Sequence, residues 1–373
     1  MKKVLFVATV ASHINSFHLP YLKAFRENGY IADVATRKEA EVDSCDNHFA
    51  IPFERNPMKP ANFKAYKQLK KLIDENEYDI IHCHTPVASI LTRLAARKAR
   101  KSGAKVIYTA HGFHFYKGAP LLNWLIYYPI EKLCARWTDV LITINKEDYA
   151  LASKKMPAKR VEYVPGVGVD LEKFSCAQIS DEEKEELKRN IGVPQGAKLI
   201  LSVGELNSNK NHSVIISALA RIEDENVHYC IAGTGKLEES LKKQADNLGI
   251  GNRIHLLGYR TDIAELMQIA DIFCFPSHRE GLPLSVMEAM ASGLPVVCSD
   301  VRGNNDLIAD GEGRYLCKPK DDDMFAKTVS ELISDRQRCS CISKVNRERI
   351  ESFSSKVVIR TMMKIYQDVE CEE

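Results

Sequence analysis

The chain has 373 residues, of which 27% are charged, 45% hydrophobic and 8% aromatic. This is an ordinary globular composition, and it excludes the collagen-like, disordered and membrane-spanning classes. The 52 lysines and arginines nearly balance the 50 aspartates and glutamates, for a formal net charge of +2. Without a basic excess, nucleic acid is not expected as the main partner. At roughly 150 residues per domain, the length predicts two domains.

The start of the chain has two interpretations. Two lysines precede the short apolar run 4–11, as in a signal peptide, but no small-residue cleavage site follows it. A first β-strand is therefore favoured. The longest apolar stretch, 119–130, is too short to span a membrane, and it contains Asn123 and Pro129.

The cysteine pattern predicts a reducing, cytoplasmic environment. The count is eleven, an odd number, and no two cysteines have the C-x-x-C spacing. Cys83, Cys230, Cys274 and Cys298 lie inside apolar runs, where a free cysteine acts as a small hydrophobe.

Ten apolar runs of strand length alternate with segments of helical periodicity. Runs buried on both faces and separated by helices predict parallel sheets in doubly wound α/β domains. The predicted strands are 4–10, 31–36, 78–84, 105–111 and 139–145 in the first half, and 197–205, 227–233, 253–259, 271–277 and 295–300 in the second.

The seam between the two halves is predicted at 164–174, where glycines and a proline interrupt the pattern. We expect a first domain over 1–165, a second over 175–353, and a last helix, 354–373, that packs back on the first. Ligands of open α/β sheets bind outside the carboxyl ends of the strands. The chemistry is therefore expected in a cleft between the two domains.

The stretch 271–300 carries the clearest functional signal. A strand is followed by a loop with Glu280 and Gly281, and then by a helix start, which is a natural anion site. Two interpretations of Glu288 remain open, because Ser285 and Glu288 also have the S-x-x-E spacing of a capping box. Glu280 has no such structural role, and we expect its carboxylate to face a ligand.

These residues resemble the retaining glycosyltransferases of family 4, which have the GT-B fold of two facing Rossmann-like domains. The resemblance covers nearly the whole chain. It rests on Glu280 and Glu288 eight residues apart, on AMASGLPVV after them, and on SVGELNSNKNHS and LGYR before them. TAHGFHFYKG (109–118) and TINKEDY (143–149) resemble the branch that builds capsular and exopolysaccharide repeat units on a polyprenyl carrier.

The resemblance implies a role for each matching position. His111 and Glu280 would be catalytic, with Glu280 bonded to hydroxyls of the donor sugar and His111 close to the reacting carbon. The residues implied in donor binding are Lys210, Leu284 and Ser285 at the diphosphate, Glu288 at the ribose, Tyr259 and Arg260 at the base, and Gly281 in the adjoining loop. On the acceptor side, His13 and Ser16 are candidates, although a capping or core role is an equal alternative.

The resemblance also implies the substrates. The donor would be a UDP-sugar, carrying an N-acetylhexosamine or hexose, and the acceptor a polyprenyl-diphosphate-linked sugar. No cofactor and no metal are expected, because Lys210 and the helix start would neutralise the diphosphate. One departure is Glu205, which stands where the family commonly has a phosphate-binding arginine. Either Glu205 turns away, or Arg260 or Arg279 substitutes.

Three other patterns have structural interpretations. His82 and His84 share one face of a strand, but no third ligand is evident, so a metal site is not expected there. The acidic run 321–323 suits a helix start. The full G-x-G-x-x-G fingerprint is absent around 233–235, which argues against a nicotinamide cofactor.

The segment 59–105 is basic, with eleven lysines and arginines against four acidic residues. It is either a solvated face or a surface that docks on anionic lipid at the inner face of the cell membrane. The aromatic and apolar stretch 113–133 beside it favours a membrane-bound acceptor.

Two rival functions remain open at this stage. A nucleotide-sugar epimerase on the same fold would release an epimer without any acceptor. A non-catalytic partner subunit of another transferase is the second rival, supported only by Glu205.

Overall fold

The computed structural model describes residues 1–175, 179–308 and 316–371, and the chain divides into two compact units. The first unit comprises Met1–Val167 and Val358–Glu373, and the second comprises Gly168–Val357. Each unit is built on one parallel sheet.

The sheet of the first unit has seven strands in the order β3-β2-β1-β4-β5-β6-β7. The central strands are buried on both faces, as their continuous apolar sequences require. Its strands are β1 (Lys3–Val7), β2 (Ile31–Thr36), β3 (Asn47–Ala50), β4 (Ile80–His84), β5 (Lys105–Ala110), β6 (Val140–Thr143) and β7 (Arg160–Tyr163). Its helices are α1 (Ala11–Phe17), α2 (Leu19–Glu27), α3 (Ala61–Asn76), α4 (Pro86–Ala95), α5 (Arg97–Lys101), α6 (Leu121–Ala135) and α7 (Lys146–Lys155).

The sheet of the second unit has six strands in the order β10-β9-β8-β11-β12-β13. Its strands are β8 (Lys198–Val203), β9 (Val227–Ala232), β10 (Ile254–Gly258), β11 (Ile272–Phe275), β12 (Val296–Ser299) and β13 (Leu316–Cys317). Its helices are α8 (Leu171–Ser175), α9 (Asp181–Asn190), α10 (His212–Leu219), α11 (Glu238–Asn247), α12 (Ile263–Ile269), α13 (Leu284–Ala291), α14 (Asn304–Leu307), α15 (Asp322–Ser334) and α16 (Arg336–Ile350).

Strand order reverses once in each sheet, between β1 and β4 in the first unit and between β8 and β11 in the second. At such a point, successive connections leave the sheet in opposite directions and a crevice opens at the carboxyl edge. The loops after these four strands are therefore the places where the fold can hold a ligand.

The last helix, α17 (Ser355–Cys371), contributes its apolar face to the core of the first unit. Val358, Met362, Ile365 and Val369 are buried there. Tyr366 is also buried, and its hydroxyl lies 2.7 Å from Nδ1 of His82 on β4. This polar contact ties the end of the chain to the centre of the first sheet.

The predicted fold class is confirmed, since all ten predicted strands are present in two parallel, doubly wound sheets. Three strands were missed: β3, β7 and β13. The first two are only partly buried and β13 has two residues, so none presents a long apolar run. The acidic run does open a helix, because Asp321 accepts a hydrogen bond from the Met324 amide at α15.

Within the described ranges, all ten cysteines are free thiols, and the four expected in apolar runs are buried. No helix in these ranges combines the length and the apolar character that a membrane span requires.

Candidate functional site

The strand reversal of the second unit brings two loops together. β8 and β11 are hydrogen-bonded neighbours, so the chain leaves both at the same edge. The Asn209 side chain donates to the Arg279 carbonyl at 3.0 Å, and the His278 amide donates to the Asn209 carbonyl at 2.8 Å. Asn211 donates to the Pro276 carbonyl at 3.0 Å. These bonds hold the loop after β8 against the loop after β11.

Lys210 and Glu280 form an ion pair across these loops. Lys210 Nζ lies 2.7 Å from Glu280 Oε1, and their side chains are 22% and 12% exposed. The ammonium also lies 4.6 Å from the centre of the Phe275 ring. The Lys210 amide donates to Asn207 Oδ1 at 2.9 Å, which fixes the backbone beneath the side chain. The structure therefore brings together two of the predicted site residues.

Arg302 is a nearby cation that the sequence analysis missed. It is buried, and its Nε donates to the Glu280 carbonyl at 3.1 Å. Arg302 follows β12, the next strand in the sheet, so its position after a carboxyl end was the available signal. Arg260, proposed as a substitute for the missing family arginine, instead forms a two-point ion pair with Asp262.

Two glycines make the close backbone packing at this edge possible. A side chain at Gly233, which follows β9, would collide with the carbonyl of Gly204 after β8. Gly303 has a φ of +81°, and a side chain there would collide with the carbonyl of Gly281. The backbone at Gly303 therefore packs directly against the backbone of the loop with Glu280 and Gly281.

Helix α13 starts directly after this loop, at Leu284. Its N-cap is Pro283, and no side chain caps it, so the capping box expected from Ser285 and Glu288 is not formed. That interpretation of Glu288 is wrong, because Ser285 already lies inside the first turn. The first N–H groups of a helix have no acceptor within it and point along its axis.

Glu288 lies on the second turn of α13 and is mostly buried. Burial raises the pKa of its carboxyl to about 7, and the charge of Lys173 opposes this only in part. At the end of β10, Tyr259 is 80% exposed. Glu205, at the position of the family's arginine, is exposed as well.

In the first unit, histidines gather at the strand reversal. The rings of His13 on α1 and His111 after β5 lie edge to face, 4.6 Å apart between centres. His84, at the end of β4, and His18, between α1 and α2, stack at 3.8 Å. Ser16, the other acceptor-side candidate, is exposed on α1 and lies outside this group.

Burial lowers the pKa of every histidine in this group. The pKa of His13 falls to about 4, and the pKa values of His18, His84 and His111 lie well below the ordinary value of 6.5. Neighbouring imidazoles oppose the protonation of these last three still further. All four rings are therefore neutral near pH 7. The expectation that no third ligand would lie near His82 and His84 is wrong for His84, since the ring nitrogens of His13, His18 and His111 lie close to it.

A cavity of about 640 Å³ opens beside this group in the first unit. Its walls are mainly apolar and come from α4, from the segment after β5 and from α6. Polar groups at its border include His13, Arg55 and Glu131. Glu131 is buried and bonded to the fully buried Arg93 at 2.8 Å, so Arg93 is not part of the basic surface predicted for 59–105.

Helix α6 presents an apolar face outside the core. Six large apolar residues of this helix are exposed: Leu121 (73%), Leu122 (63%), Leu125 (66%), Ile126 (44%), Ile130 (38%) and Leu133 (47%). Ile126 and Ile130 also line the cavity, as does Met58, which is 86% exposed. Contiguous exposed apolar surface can mark a contact site on a protein.

The burial of Glu288 predicts a pH-dependent stability. Between pH 4.5 and about 7, the folded chain holds a proton that the unfolded chain has released. The free energy of unfolding therefore falls as pH rises through this window, by up to about 3 kcal/mol. The Glu288→Gln variant cannot ionise, and urea unfolding should show it gaining stability relative to the wild type over the same window.

The control is Glu348→Gln on α16, whose side chain is 67% exposed. It should follow the wild-type profile. A constant difference in unfolding free energy between Glu288→Gln and the wild type would contradict a raised pKa at Glu288.

Comparisons with known proteins agree with this geometry. A family model described as "Glycosyl transferases group 1" matches residues 183–349, and one described as "Glycosyl transferase 4-like" matches residues 3–145. The putative glycosyltransferase EpsD of Bacillus subtilis is 41% identical over 98% of this chain and 96% of its own. UDP-Gal:alpha-D-GlcNAc-diphosphoundecaprenol alpha-1,3-galactosyltransferase of Escherichia coli is 31% identical over 79% and 76%, respectively.

Among solved structures, HepE of Anabaena in complex with UDP and glucose superposes with a TM-score of 0.80 at 18% identity, over 99% of this chain and 100% of its own. This likeness confirms the GT-B fold class. The relative from Bacillus subtilis extends along nearly the whole of both chains, and the two family models match both halves. The chain therefore belongs to the group 1 glycosyltransferases.

Proposed function

We propose that this glycosyltransferase moves a sugar from a UDP-sugar to a polyprenyl-diphosphate-linked glycan, with retention at the anomeric carbon. The observation that carries the proposal is the Lys210–Glu280 pair at the strand reversal of the second unit, directly before the start of α13. The Escherichia coli relative is named for a UDP-galactose donor and a diphosphoundecaprenol acceptor, and the Bacillus subtilis relative as a glycosyltransferase. The product would serve capsular or exopolysaccharide synthesis.

The donor-binding role of the second unit follows from charge. Transfer breaks the bond between the anomeric carbon and the β-phosphate oxygen, and negative charge develops on the leaving diphosphate. Lys210 and the N–H groups of Leu284 and Ser285 would stabilise that charge without a metal ion at the phosphates. Glu280, held by Lys210 in the free protein, would accept hydrogen bonds from the sugar hydroxyls. The same ammonium would then lie between the carboxylate and the diphosphate.

The nucleoside would extend from the diphosphate site at Lys210 and the start of α13. Glu288 would accept hydrogen bonds from the ribose hydroxyls. Because its site is partly buried, fewer water molecules would compete for these hydrogen bonds. The exposed ring of Tyr259, with the backbone of Arg260, would lie against the base. Gly281 would bring the loop backbone close to the sugar.

The acceptor hydroxyl attacks the anomeric carbon as the phosphate leaves. For retention, we propose attack from the same face, with the acceptor's proton passing to the leaving β-phosphate oxygen. His111, neutral near pH 7, would contact the donor sugar and orient it. The cavity beside His13 and Arg55 would receive the acceptor, whose diphosphate suits a guanidinium.

A lipid-linked acceptor requires access to a membrane surface. The exposed apolar face of α6 adjoins the proposed acceptor cavity, and exposed lysines lie on the same helix, at Lys132, and on α3, at Lys64 and Lys67. We propose that α6 inserts among lipid head groups while these lysines contact anionic lipid. This would attach the enzyme peripherally to the inner face of the membrane.

Substitutions at the paired residues and at His111 test the transfer reaction. Lys210→Ala, Glu280→Ala and His111→Ala should each lower kcat about 100-fold or more, because each removes a group that acts on the reacting centre. The measurement is transfer of radiolabelled sugar from a UDP-sugar to a polyprenyl-diphosphate-linked acceptor, with circular dichroism to verify folding.

The matched control is Lys242→Ala, an exposed lysine on α11 that pairs with Glu238. It should transfer at the wild-type rate. Near-native rates in both His111→Ala and Glu280→Ala would refute the assignment of the site.

Sedimentation with vesicles tests the membrane proposal. The wild type should sediment with vesicles containing anionic lipid at low salt, and less at high salt, because the basic contacts are screened. Leu122→Glu and Leu125→Glu on α6 should weaken the binding at both salt concentrations. Leu248→Glu in the second unit, at a position that is 45% exposed, serves as the control and should bind like the wild type. Absence of wild-type binding at low salt would overturn the proposal.

A further inference from the structure

Four histidines of the first unit converge on one point at the strand reversal. His13, His18, His84 and His111 each offer one ring nitrogen, and these four nitrogens all lie within 4.8 Å of one another. They come from α1, from the junction of α1 and α2, and from the carboxyl ends of β4 and β5. No part of the proposed transfer reaction requires four imidazoles together.

Two of the nitrogen pairs are separated by about the distance between neighbouring ligands of one metal ion. His13 Nε2 lies 3.3 Å from His18 Nε2, and His84 Nδ1 lies 3.5 Å from His111 Nε2. Good N–H hydrogen bonds are shorter, at about 2.9–3.0 Å. The nitrogens of a tetrahedral site with metal–nitrogen bonds of about 2.0–2.1 Å lie about 3.3–3.4 Å apart.

Two further ring nitrogens of the group have no partner. Among the described residues, neither His18 Nδ1 nor His84 Nε2 has a hydrogen-bond partner, although both atoms are buried. Without a hydrogen-bond acceptor or donor at this second nitrogen, nothing fixes the tautomer of either ring. Each neutral ring can therefore carry its proton there and turn the lone pair of its other nitrogen, His18 Nε2 or His84 Nδ1, toward a metal ion.

His82, which lies on β4 together with His84, differs from it in having a hydrogen-bond partner at both ring nitrogens. His82 is fully buried, but its two nitrogens are bonded to the Tyr366 hydroxyl at 2.7 Å and to Thr109 Oγ1 at 2.8 Å. The H-x-H pattern of β4 is therefore divided between two roles. His82 belongs to the core network with the last helix, and His84 belongs to the four-histidine group.

We propose that His13, His18, His84 and His111 bind one divalent transition-metal ion, with Zn²⁺ as the best match. Imidazole nitrogens favour zinc and its neighbours over magnesium or calcium, which prefer oxygen. His13 and His111 are only half-buried, and they provide the route by which an ion enters. All four ligands belong to the first unit, whereas Lys210 belongs to the second, and the ion would not replace Lys210.

The ion would fix local structure in the first unit. It would hold α1 and the α1–α2 junction against the ends of β4 and β5, where hydrogen bonds between the rings are long. It would also orient the His111 ring through one nitrogen and leave the other free for a substrate. This is a positioning role for the ion and not a step of the reaction.

The test uses the full-length protein, treated with a chelator and dialysed, without substrates. Titration calorimetry with Zn²⁺ should give one equivalent per chain. Co²⁺ should bind at the same site and show the intense visible absorption of four-coordinate cobalt. His13→Ala and His111→Ala, at the two less buried positions of the group, should each weaken Zn²⁺ binding by more than about tenfold, with circular dichroism to verify folding.

The control for adventitious binding is His228→Ala in the second unit. His228 and His255 form a two-histidine pair, with Nδ1 and Nε2 3.0 Å apart, and its loss should leave stoichiometry and affinity unchanged. The proposal is overturned if the wild type shows no saturable binding of one equivalent. It is also overturned if either cluster variant keeps the wild-type affinity, or if His228→Ala removes the binding.

Discussion

The reversal of strand order in each parallel sheet is the constraint from which the functional geometry follows. Parallel strands deliver their connecting loops to one edge, and only at the reversal do two neighbouring loops turn away from each other. In the second unit, this is where Lys210 and Glu280, seventy residues apart in sequence, lie 2.7 Å apart. In the first, it is where His13 meets His84 and His111. The two sheets thus offer different chemistry at equivalent places.

The two sites differ in charge because they differ in burial. In the second unit, a lysine and a carboxylate stay partly exposed and satisfy each other, which keeps both charges in place for a polar ligand. Nearby, Glu288 is mostly buried, the charge of Lys173 offsets this only in part, and the pKa of Glu288 rises to about 7. In the first unit, burial without any carboxylate in the group keeps four imidazoles neutral. The charged site of the second unit therefore suits a phosphate, and the neutral imidazoles of the first unit suit a transition-metal cation.

The apolar runs were sufficient to predict both sheets, because a strand buried on both faces has few sequence alternatives. The same argument could not find β3 or β7, which lie at sheet edges and are half-exposed. The family resemblance, together with the place of Glu280 after a strand, was enough to assign Lys210 and Glu280 to one site, and the two side chains do lie together. Three features were not predictable: the pairing of Arg260 with Asp262, the N-cap at Pro283, and the convergence of His13 with His84. Each depends on where side chains point after the loops have packed, which spacing along the chain does not encode.

The proposed binding of a nucleoside diphosphate sugar to the second unit through Lys210 is tested most directly by calorimetric titration. The titrants are a panel of nucleotide sugars, without acceptor and without added metal. We predict selective binding of one UDP-sugar, weakened about ten- to a hundredfold in Lys210→Ala, since a charge-assisted hydrogen bond contributes about 1.5–3 kcal/mol. Binding of none of the panel, equal affinity in Lys210→Ala, or release of an epimerised sugar would contradict the account.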